Sequence, residues 1–68
     1  MQIEVGKTYP TREGGTATIL EIHEDEPVYQ ASGQIILSSG ELRGCAYWTP
    51  SGQYVVGRSS VFDLQPPQ

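Results

Sequence analysis

The residues of this chain that could do chemistry are few: one histidine, His23, one cysteine, Cys45, and eight carboxylates. Nucleophilic catalysis needs a serine or cysteine held beside a base, and sequences that build such sites carry motifs such as a nucleophile elbow, Cys-x-x-Cys or His-Glu-x-x-His. None of these motifs occurs here. Gly14-Gly15 precedes a predicted strand, whereas a phosphate-binding glycine loop opens a helix. We therefore predict that the protein is not an enzyme and uses no cofactor.

The sequence offers equally little for binding a metal. Structural zinc sites are built from four cysteine or histidine ligands, and His23 and Cys45 are the only two residues of these types. The run Glu24-Asp25-Glu26 could hold a hard cation, but its spacing matches no calcium-binding loop. We therefore predict no metal site. Cys45 lies in the middle of a predicted strand and is interpreted as a small buried hydrophobic residue.

The charge of the chain is concentrated in one acidic stretch. The net charge is −4, and the carboxylates of Glu21, Glu24, Asp25 and Glu26 account for it, because the other four carboxylates equal the four Lys and Arg in number. Non-specific nucleic-acid binding depends on Lys and Arg that neutralise phosphates, so a nucleic-acid partner is not favoured. The acidic stretch is either a solvated connection that keeps a sheet edge soluble or a surface for a basic partner protein.

Gly and Pro interrupt the chain about every ten residues, and no helical period survives between them. The short segments that remain predict an all-β fold, interpreted as a small, five-stranded, strongly bent SH3-like barrel of antiparallel hairpins. The clearest strand is predicted at residues 16–22, which are rich in β-branched side chains. Residues 3–5 are interpreted as the start of an edge strand, and residues 7–11 lead from it into the first hairpin. Residues 28–30 are a candidate for a short strand, and further strands are predicted at 34–38, 43–49 and 53–57. A short strand or single turn is predicted at 59–64, and turns at 31–33 and 39–42.

The length of 68 residues allows one domain with one small core. Residues 1–64 are assigned to that domain and residues 65–68 to a loose C-terminal tail, because proline cannot donate to a strand ladder. A core of this size is supplemented in many small proteins by disulfides, a metal or self-association. A single cysteine leaves no intrachain disulfide, so a homodimer is one predicted form.

The sequence also predicts a cellular setting. Residues 1–5 lack the basic and apolar regions of a signal peptide. No apolar run reaches the roughly 18 residues of a membrane span. We therefore expect a cytoplasmic protein with no membrane contact.

Two five-residue segments share one turn pattern. Residues 11–15 (Thr-Arg-Glu-Gly-Gly) and 49–53 (Thr-Pro-Ser-Gly-Gln) both fit a type I turn followed by a bulge with glycine in the left-handed conformation. We call them the first turn and the second turn, and each is predicted to close a hairpin. In the first hairpin, apolar residues fall on both faces of strand 16–22, so a bulge near Ile19-Leu20 is expected to bring them to one side.

The second turn lies in the most aromatic part of the chain. Across it Trp48 is expected to face Tyr54, with Val56 on the same face, which we interpret as the core side. Tyr47 and Val55 then lie on the opposite face. A hairpin with one solvated side needs only one apolar face, so either the barrel is curved enough to cover both faces in part, or the face with Tyr47 and Val55 meets a partner. Asp63 is expected to bond to the backbone in the closing turn.

Three motifs of this chain resemble those of small proteins encoded by tailed bacteriophages and prophages. Residues 9–14 (Tyr-Pro-Thr-Arg-Glu-Gly) are similar to that family's Tyr-x-Thr-Arg-Asp/Glu-Gly opening, residues 48–54 to its Trp-x-x-x-Gly-x-Tyr segment, and residues 60–64 to its Ser-x-x-Asp-Leu ending. They occur in the family's order, whereas residues 23–42 depart from its pattern. The resemblance implies a phage or prophage origin and assigns no activity, cofactor or site residue.

These observations together predict a small phage- or prophage-encoded accessory protein that acts by protein–protein interaction with a host or phage protein in the bacterial cytoplasm. The predicted interface combines exposed apolar and acidic side chains: Tyr47, Val55, Glu24, Asp25 and Glu26. The alternative is a nucleic-acid-binding barrel whose exposed aromatic side chains stack on bases. That alternative requires arginines to cluster beside the aromatic residues: Arg12, Arg43 and Arg58.

Overall fold

The computed structural model describes residues 3–66, which contain four strands in one antiparallel sheet. The strands are β1 (Thr8–Pro10), β2 (Thr16–Ile22), β3 (Ala31–Ile36) and β4 (Leu42–Trp48), and they lie side by side in chain order. The all-β prediction is confirmed, and β2 has the predicted bounds. A fifth strand and an SH3-like barrel are not confirmed, because the described residues form one open sheet with β1 and β4 at its edges. None of these residues forms a helix long and apolar enough to cross a membrane.

A bulge in β2 brings Ile19 and Ile22 to the same side of the sheet. The register with β3 shifts between Ile19 and Glu21, so that Leu20 is the extra residue. Ile19 is buried and Leu20 is exposed, and Ile22 packs against the core after the shift. The predicted bulge at this position is confirmed. Without it the period-two alternation would place Ile22 opposite to Ile19.

Gly33 allows β2 and β3 to approach each other closely at this bulge. A Cβ at position 33 would collide with the backbone carbonyl of Thr18. Residues 31–33, predicted as a turn, instead lie within β3, so that prediction is wrong. The reason is that a glycine inside a strand can mark a close approach of two backbones as well as a turn. The strand predicted at 28–30 is wrong too, because these residues belong to the loop between β2 and β3.

The core lies on one side of the sheet and is centred on Trp48. The buried hydrophobic residues of the described chain are Ile3, Tyr9, Ala17, Ile19, Ala31, Ile35, Ala46, Trp48 and Leu64. Trp48 is fully buried, and its indole N–H donates a hydrogen bond to the carbonyl oxygen of Phe62 (2.9 Å). Tyr54 packs edge-to-face against both Trp48 and Phe62, with ring-centroid distances of 6.3 and 5.2 Å. The core-side position of Trp48 and Tyr54 is confirmed, whereas Val56 is exposed.

The hairpin predicted around the second turn is not formed. β4 pairs with β3, and residues 53–57 form no strand, with an isolated bridge of Val55 to Arg58 in its place. The chain after the second turn instead runs over the core side of the sheet. An open sheet has an apolar face that another part of the chain must cover, and here that part covers Trp48.

Asp63 holds this covering part in place. Its carboxylate oxygens accept hydrogen bonds from the backbone N–H groups of Tyr54 (2.9 Å) and Ser60 (3.0 Å), which confirms the role predicted for it. We call residues 60–65 the closing segment. Leu64 forms a bridge with Thr11, and its N–H donates to the carbonyl of the second-turn glycine at 2.9 Å.

The described part of the predicted C-terminal tail begins with a docked residue. The N–H of Gln65 donates to the carbonyl oxygen of Pro10 at 2.8 Å. This bond extends the contact of the closing segment along β1. Residues 1 and 2 of the predicted domain and residues 67 and 68 of the predicted tail lie outside the described residues.

A second bulge lies in β4 beside Cys45, which is at the surface. The register of β3 with β4 shifts between Gly33 and Ile35, opposite the Gly44-Cys45 step. Cys45 has a positive φ of 57°, a conformation that is uncommon for residues other than glycine. The residue is exposed, so the prediction of a buried cysteine is wrong. Alternation along β4 places Cys45 on the outer face with Tyr47, and this outweighs the general tendency of cysteine to be buried.

Candidate protein-binding groove

A groove lies beside the outer side of β4, and the side chain of Tyr47 is shared by all of its parts. This side chain is half exposed and lines three adjoining concavities, which together we call the tyrosine groove. The first has a volume of about 270 Å3 and is lined by Tyr29, Tyr47 and Tyr54. The second, of about 390 Å3, is lined by His23, Glu26, Tyr29 and Tyr47. The third, of about 330 Å3, lies between Tyr47, Leu20, Glu21 and Cys45, with His23, Ser32 and Gly33 completing it.

The strand register positions Tyr47 on the outer face of the sheet. Tyr47 pairs with Ser32 of β3, which in turn pairs with Glu21 of β2. Directly opposed residues in neighbouring strands share a face, so these three side chains form a row across the sheet. The residues flanking Tyr47 in β4, Ala46 and Trp48, are buried on the other side. Tyr47 is therefore anchored between two buried neighbours while its ring faces outward.

Tyr29 forms the second wall and comes from the loop between β2 and β3. Its hydroxyl oxygen accepts a long hydrogen bond (3.4 Å) from the N–H of Val56, 27 positions away in the chain. This bond links the loop to the chain that follows the second turn. Sequence reasoning missed Tyr29 as a site residue because it was assigned to a short strand. The available signal in the sequence was the presence of four tyrosines in a chain with a small core. The structure buries only Tyr9 of these four.

Tyr54 forms the third wall and is supported from behind by the core. Its ring is held at interplanar angles of 65° and 64° to the rings of Trp48 and Phe62. Edge-to-face pairs of this kind contribute about 0.5–1.5 kcal/mol each beyond the area they bury. The second turn and Asp63 thus position one groove residue through their effect on the path of the chain.

His23 organises the loop that carries the polar end of the groove. Its Nε2 lies 3.1 Å from the hydroxyl oxygen of Ser32 and 3.3 Å from a carboxylate oxygen of Glu21. Its backbone N–H donates to the carbonyl oxygen of Gln30 at 2.6 Å, and the Gln30 side-chain amide donates to the carbonyl of Glu26 at 2.9 Å. The loop is therefore closed on itself, which fixes Glu26 beside the tyrosines.

The acidic residues near the groove have no lysine or arginine as a partner in the described chain. Three of the four cations pair with carboxylates elsewhere: Lys7 with Glu4 (3.8 Å), Arg12 with Asp63 (3.8 Å) and Arg43 with Glu41 (3.6 Å). Within residues 3–66, no Lys or Arg forms an ion pair with the four carboxylates of the acidic stretch, which are Glu21, Glu24, Asp25 and Glu26. We call these four the acidic rim, and all of them are exposed.

The structure brings some of the predicted interface residues together and separates others. Tyr47 and Glu26 line one concavity. Glu24 lines a separate, smaller concavity of about 180 Å3 beside Pro50, and Asp25 is an exposed turn residue between the two glutamates. Val55 is 37% exposed but is not among the residues that line the tyrosine groove.

The arginines do not line the tyrosine groove. The guanidinium of Arg43 lies over the ring of Phe62, 5.8 Å from its centroid, and Arg12 pairs with Asp63. The nucleic-acid alternative needs cations beside the exposed aromatic residues, so this arrangement does not favour it. Among residues 3–66 no three His, Cys, Asp or Glu side chains come close enough to hold a metal ion.

The comparison with known proteins leaves the function to be argued from the groove. A scan against protein-family models and searches of curated proteins and of solved structures each gave no match to this chain. The resemblance to tailed-phage proteins therefore stays a prediction.

Proposed function

We propose that this chain is a small phage- or prophage-encoded accessory protein that acts in the bacterial cytoplasm by binding a host or phage protein through the tyrosine groove. The observation that carries the proposal is the position of Tyr47, half exposed and common to three adjoining concavities. Tyrosine is enriched at the centres of protein interfaces, where it supplies a large contact area with few rotatable bonds. In this proposal the protein carries out no reaction.

The acidic rim indicates the sign of the partner's charge. Four exposed carboxylates lie on β2 and the loop that follows it, and no Lys or Arg of the described chain pairs with them. Complementary charge on a partner increases the rate of encounter and disfavours partners of the wrong sign. A partner with a basic surface therefore suits this groove.

The finer description of the fold, an SH3-like barrel, belongs to the same proposal. Its support is the contact of the closing segment with β1. Leu64 bridges Thr11, and Gln65 donates to Pro10. These contacts bring the closing segment against one edge of the sheet, where a closing strand of a small barrel would lie.

Position-specific photo-cross-linking tests the proposed function. A photoreactive amino acid is placed at position 47 in phage-infected or lysogenic cells, with position 42 as the matched control, because Leu42 lies on the same strand and is 59% exposed. We expect a discrete protein adduct from position 47 and none from position 42. Equal adducts from both positions, or none from position 47, would contradict the proposal.

Alanine substitution separates binding from folding. Tyr47→Ala should lower the affinity for the cross-linked partner by about 30-fold, the size of an interface hot spot of about 2 kcal/mol. Its free energy of unfolding should change by less than about 0.5 kcal/mol, as for other exposed positions. Val55→Ala should have a smaller effect on binding, because Val55 lies outside the groove. If Tyr47→Ala strongly lowers the free energy of unfolding measured in urea, the assignment of this residue to a binding surface is wrong.

Two other occupants of the groove are outcomes of further measurements. A second copy of the chain would give a dimer in size-exclusion chromatography with light scattering, and Tyr47→Ala would make it monomeric. If nucleic acid is the occupant, single-stranded oligonucleotides will bind in fluorescence anisotropy, with an affinity that falls as the salt concentration rises. If dimer formation or oligonucleotide binding is observed and Tyr47→Ala abolishes it, that occupant replaces the proposed partner protein.

A further inference from the structure

We propose that the aromatic end of the tyrosine groove receives a cationic side chain, a lysine or an arginine, from the partner protein. The inference deepens the proposed function and rests on it. Three tyrosine rings, those of Tyr29, Tyr47 and Tyr54, line one concavity of about 270 Å3. The face of an aromatic ring is electronegative and attracts a cation placed within about 6 Å of its centre, and clusters of such rings bind ammonium groups.

The neighbouring charges favour a cation over other occupants. Glu26 lines the concavity that shares Tyr29 and Tyr47 with the aromatic one. An anionic side chain would be repelled by this carboxylate and by the rest of the acidic rim. A purely apolar side chain would leave Glu26 without a partner and gain nothing from the charge. A lysine or arginine can place its aliphatic stem along the rings and its charged end towards Glu26.

Two of the three rings are held in place before any ligand binds. Tyr54 is packed edge-to-face on Trp48 and Phe62. The hydroxyl of Tyr29 accepts its hydrogen bond from Val56, which ties the loop to the chain after the second turn. A preorganised site loses less side-chain freedom on binding, so more of the interaction appears as affinity.

The chain's own cations leave the site open. Lys7, Arg12 and Arg43 pair with carboxylates outside the groove, and no Lys or Arg of residues 3–66 lines the two concavities that contain Tyr29. The described chain therefore leaves this site open to a lysine or arginine of another molecule.

An NMR titration with a matched pair of peptides tests the inference. The probes are acetyl-Gly-Arg-Gly-amide and the same peptide with citrulline, which keeps the shape of arginine but carries no charge. We expect saturable shifts of the signals of residues 29, 47 and 54 with the arginine peptide. The citrulline peptide should bind about two- to fivefold more weakly, as the loss of an exposed cation–π contact predicts. Equal binding of the two peptides would overturn the inference.

Variants of the groove separate the contribution of the Tyr47 ring to peptide binding from that of the Glu26 charge. Tyr47→Leu should weaken binding of the arginine peptide about two- to fivefold, whereas Tyr47→Phe, which keeps the ring, should change it less than about twofold. Glu26→Gln should weaken binding more than Glu24→Gln, which removes the same charge outside the groove. If the two tyrosine variants behave alike, or if the two glutamate variants do, only general acidic attraction is present and the inference fails.

The two proposals fail in different ways. If the arginine peptide does not bind while cross-linking from position 47 still captures a protein, the cation site is wrong and the binding groove stands. If cross-linking from position 47 also gives no discrete adduct, the groove itself is not the binding surface.

Discussion

The first and second turns have nearly the same geometry and opposite consequences. In each, the hydroxyl oxygen of the threonine, Thr11 or Thr49, accepts a hydrogen bond from the N–H four residues later, at 3.1 and 3.0 Å. The threonine N–H donates to the carbonyl of that same residue, at 3.0 and 2.9 Å. The glycines, Gly14 and Gly52, have φ values of +100° and +93°. Both turns therefore form as their residue types predict.

The chain behaves differently after the two turns. After the first turn it continues as β2, which pairs with β1 on one side and β3 on the other. After the second turn the described residues form no further strand, and the N–H of Tyr54 donates to Asp63 instead of to a ladder partner. A turn of this type reverses the chain in either case. The contacts available to the outgoing residues decide whether a strand follows.

The first turn also anchors the closing segment through its backbone N–H groups. Within the described residues, the second turn bonds to that segment only through the carbonyl of Gly52. The N–H groups of Arg12 and Glu13 donate to the carbonyls of Asp63 (3.2 Å) and Val61 (2.9 Å). Pro50, at the position equivalent to Arg12, has no N–H. The same turn type thus serves as a docking site where its N–H groups are free, and as a simple corner where proline occupies the position.

Asp63→Ala should have the largest effect, because this side chain decides the path after the second turn. It removes two hydrogen bonds to a carboxylate and the ion pair with Arg12. Hydrogen bonds to charged groups contribute about 1.5–3 kcal/mol each, so we expect a loss of about 3 kcal/mol in the free energy of unfolding. Urea denaturation followed by Trp48 fluorescence measures it.

Asp25→Ala is the matched control for this substitution, because Asp25 is exposed and its loss should change the free energy of unfolding by less than about 0.5 kcal/mol. Equal stability of the two variants would mean that the second turn directs the chain without Asp63.

Thr11→Val and Thr49→Val compare the two turns directly. Each variant removes the hydroxyl that accepts a turn hydrogen bond. The bond to Gly15 is buried, so its N–H is left without a partner, at a cost of about 2 kcal/mol. Gln53 is exposed, so its N–H can bond to water and the cost falls to about 1 kcal/mol. Equal losses in urea denaturation would show that the surroundings of the two turns do not matter.

Removing proline from the second turn and introducing it into the first should have smaller effects on the free energy of unfolding. Pro50→Ala should cost about 0.5 kcal/mol, because it frees the unfolded chain. Arg12→Pro should cost about 1 kcal/mol, since it deletes the N–H that bonds to Asp63. Arg12→Ala is the control that keeps this N–H. If Arg12→Pro is no less stable than Arg12→Ala in thermal denaturation, the first turn does not anchor the closing segment.

The smallest expected effect concerns a clamp that only the first turn has. The side-chain hydroxyl of Ser38 donates to Glu13 at 2.7 Å, and the Ser38 N–H donates to it at 3.0 Å. These bonds, the hydroxyl bond foremost, lower the pKa of Glu13 below its ordinary value. Ser38→Ala should therefore raise the pKa of Glu13 towards that value, which carboxyl NMR measures directly.

The sign of the pH dependence follows from this shift. A carboxyl whose pKa is lowered by folding stabilises the protein above its unfolded pKa, and the contribution is lost as the pH falls through the folded pKa. Ser38→Ala and the unsubstituted protein should therefore differ most near neutral pH and converge in acid. Ser39→Ala is the neighbouring control. A difference that does not vary with pH would exclude Glu13 as its source.

Local features of the fold could be predicted from the sequence because a few neighbouring residues decide them. The β-branched run of β2 and the Thr-x-x-Gly pattern of both turns each act over five to seven residues. The bulge at Leu20 followed from the conflict between period-two alternation and the positions of the apolar residues in β2. Asp63 was identified from its place in a short turn-rich segment.

The candidate site was only half predictable, for a physical reason. Tyr47 follows from alternation along β4, because its neighbours must be buried. Tyr29 joins it only because the loop after β2 folds back and bonds to Val56, a contact between distant parts of the chain. Cys45 was misplaced because cysteine is commonly buried, whereas its position two residues from Tyr47 puts it on the outer face.

The sequence by itself determined the turns, the central strand and the concentration of negative charge in one stretch, since each depends on residue type and short-range geometry. The tertiary structure alone decided that residues 53–57 form no strand and that Tyr54 and Phe62 cover the core at Trp48. It also decided that three tyrosines from separate elements line one concavity beside the acidic rim. Burial of an apolar sheet face is a requirement of the whole chain, and no local pattern states which segment will meet it.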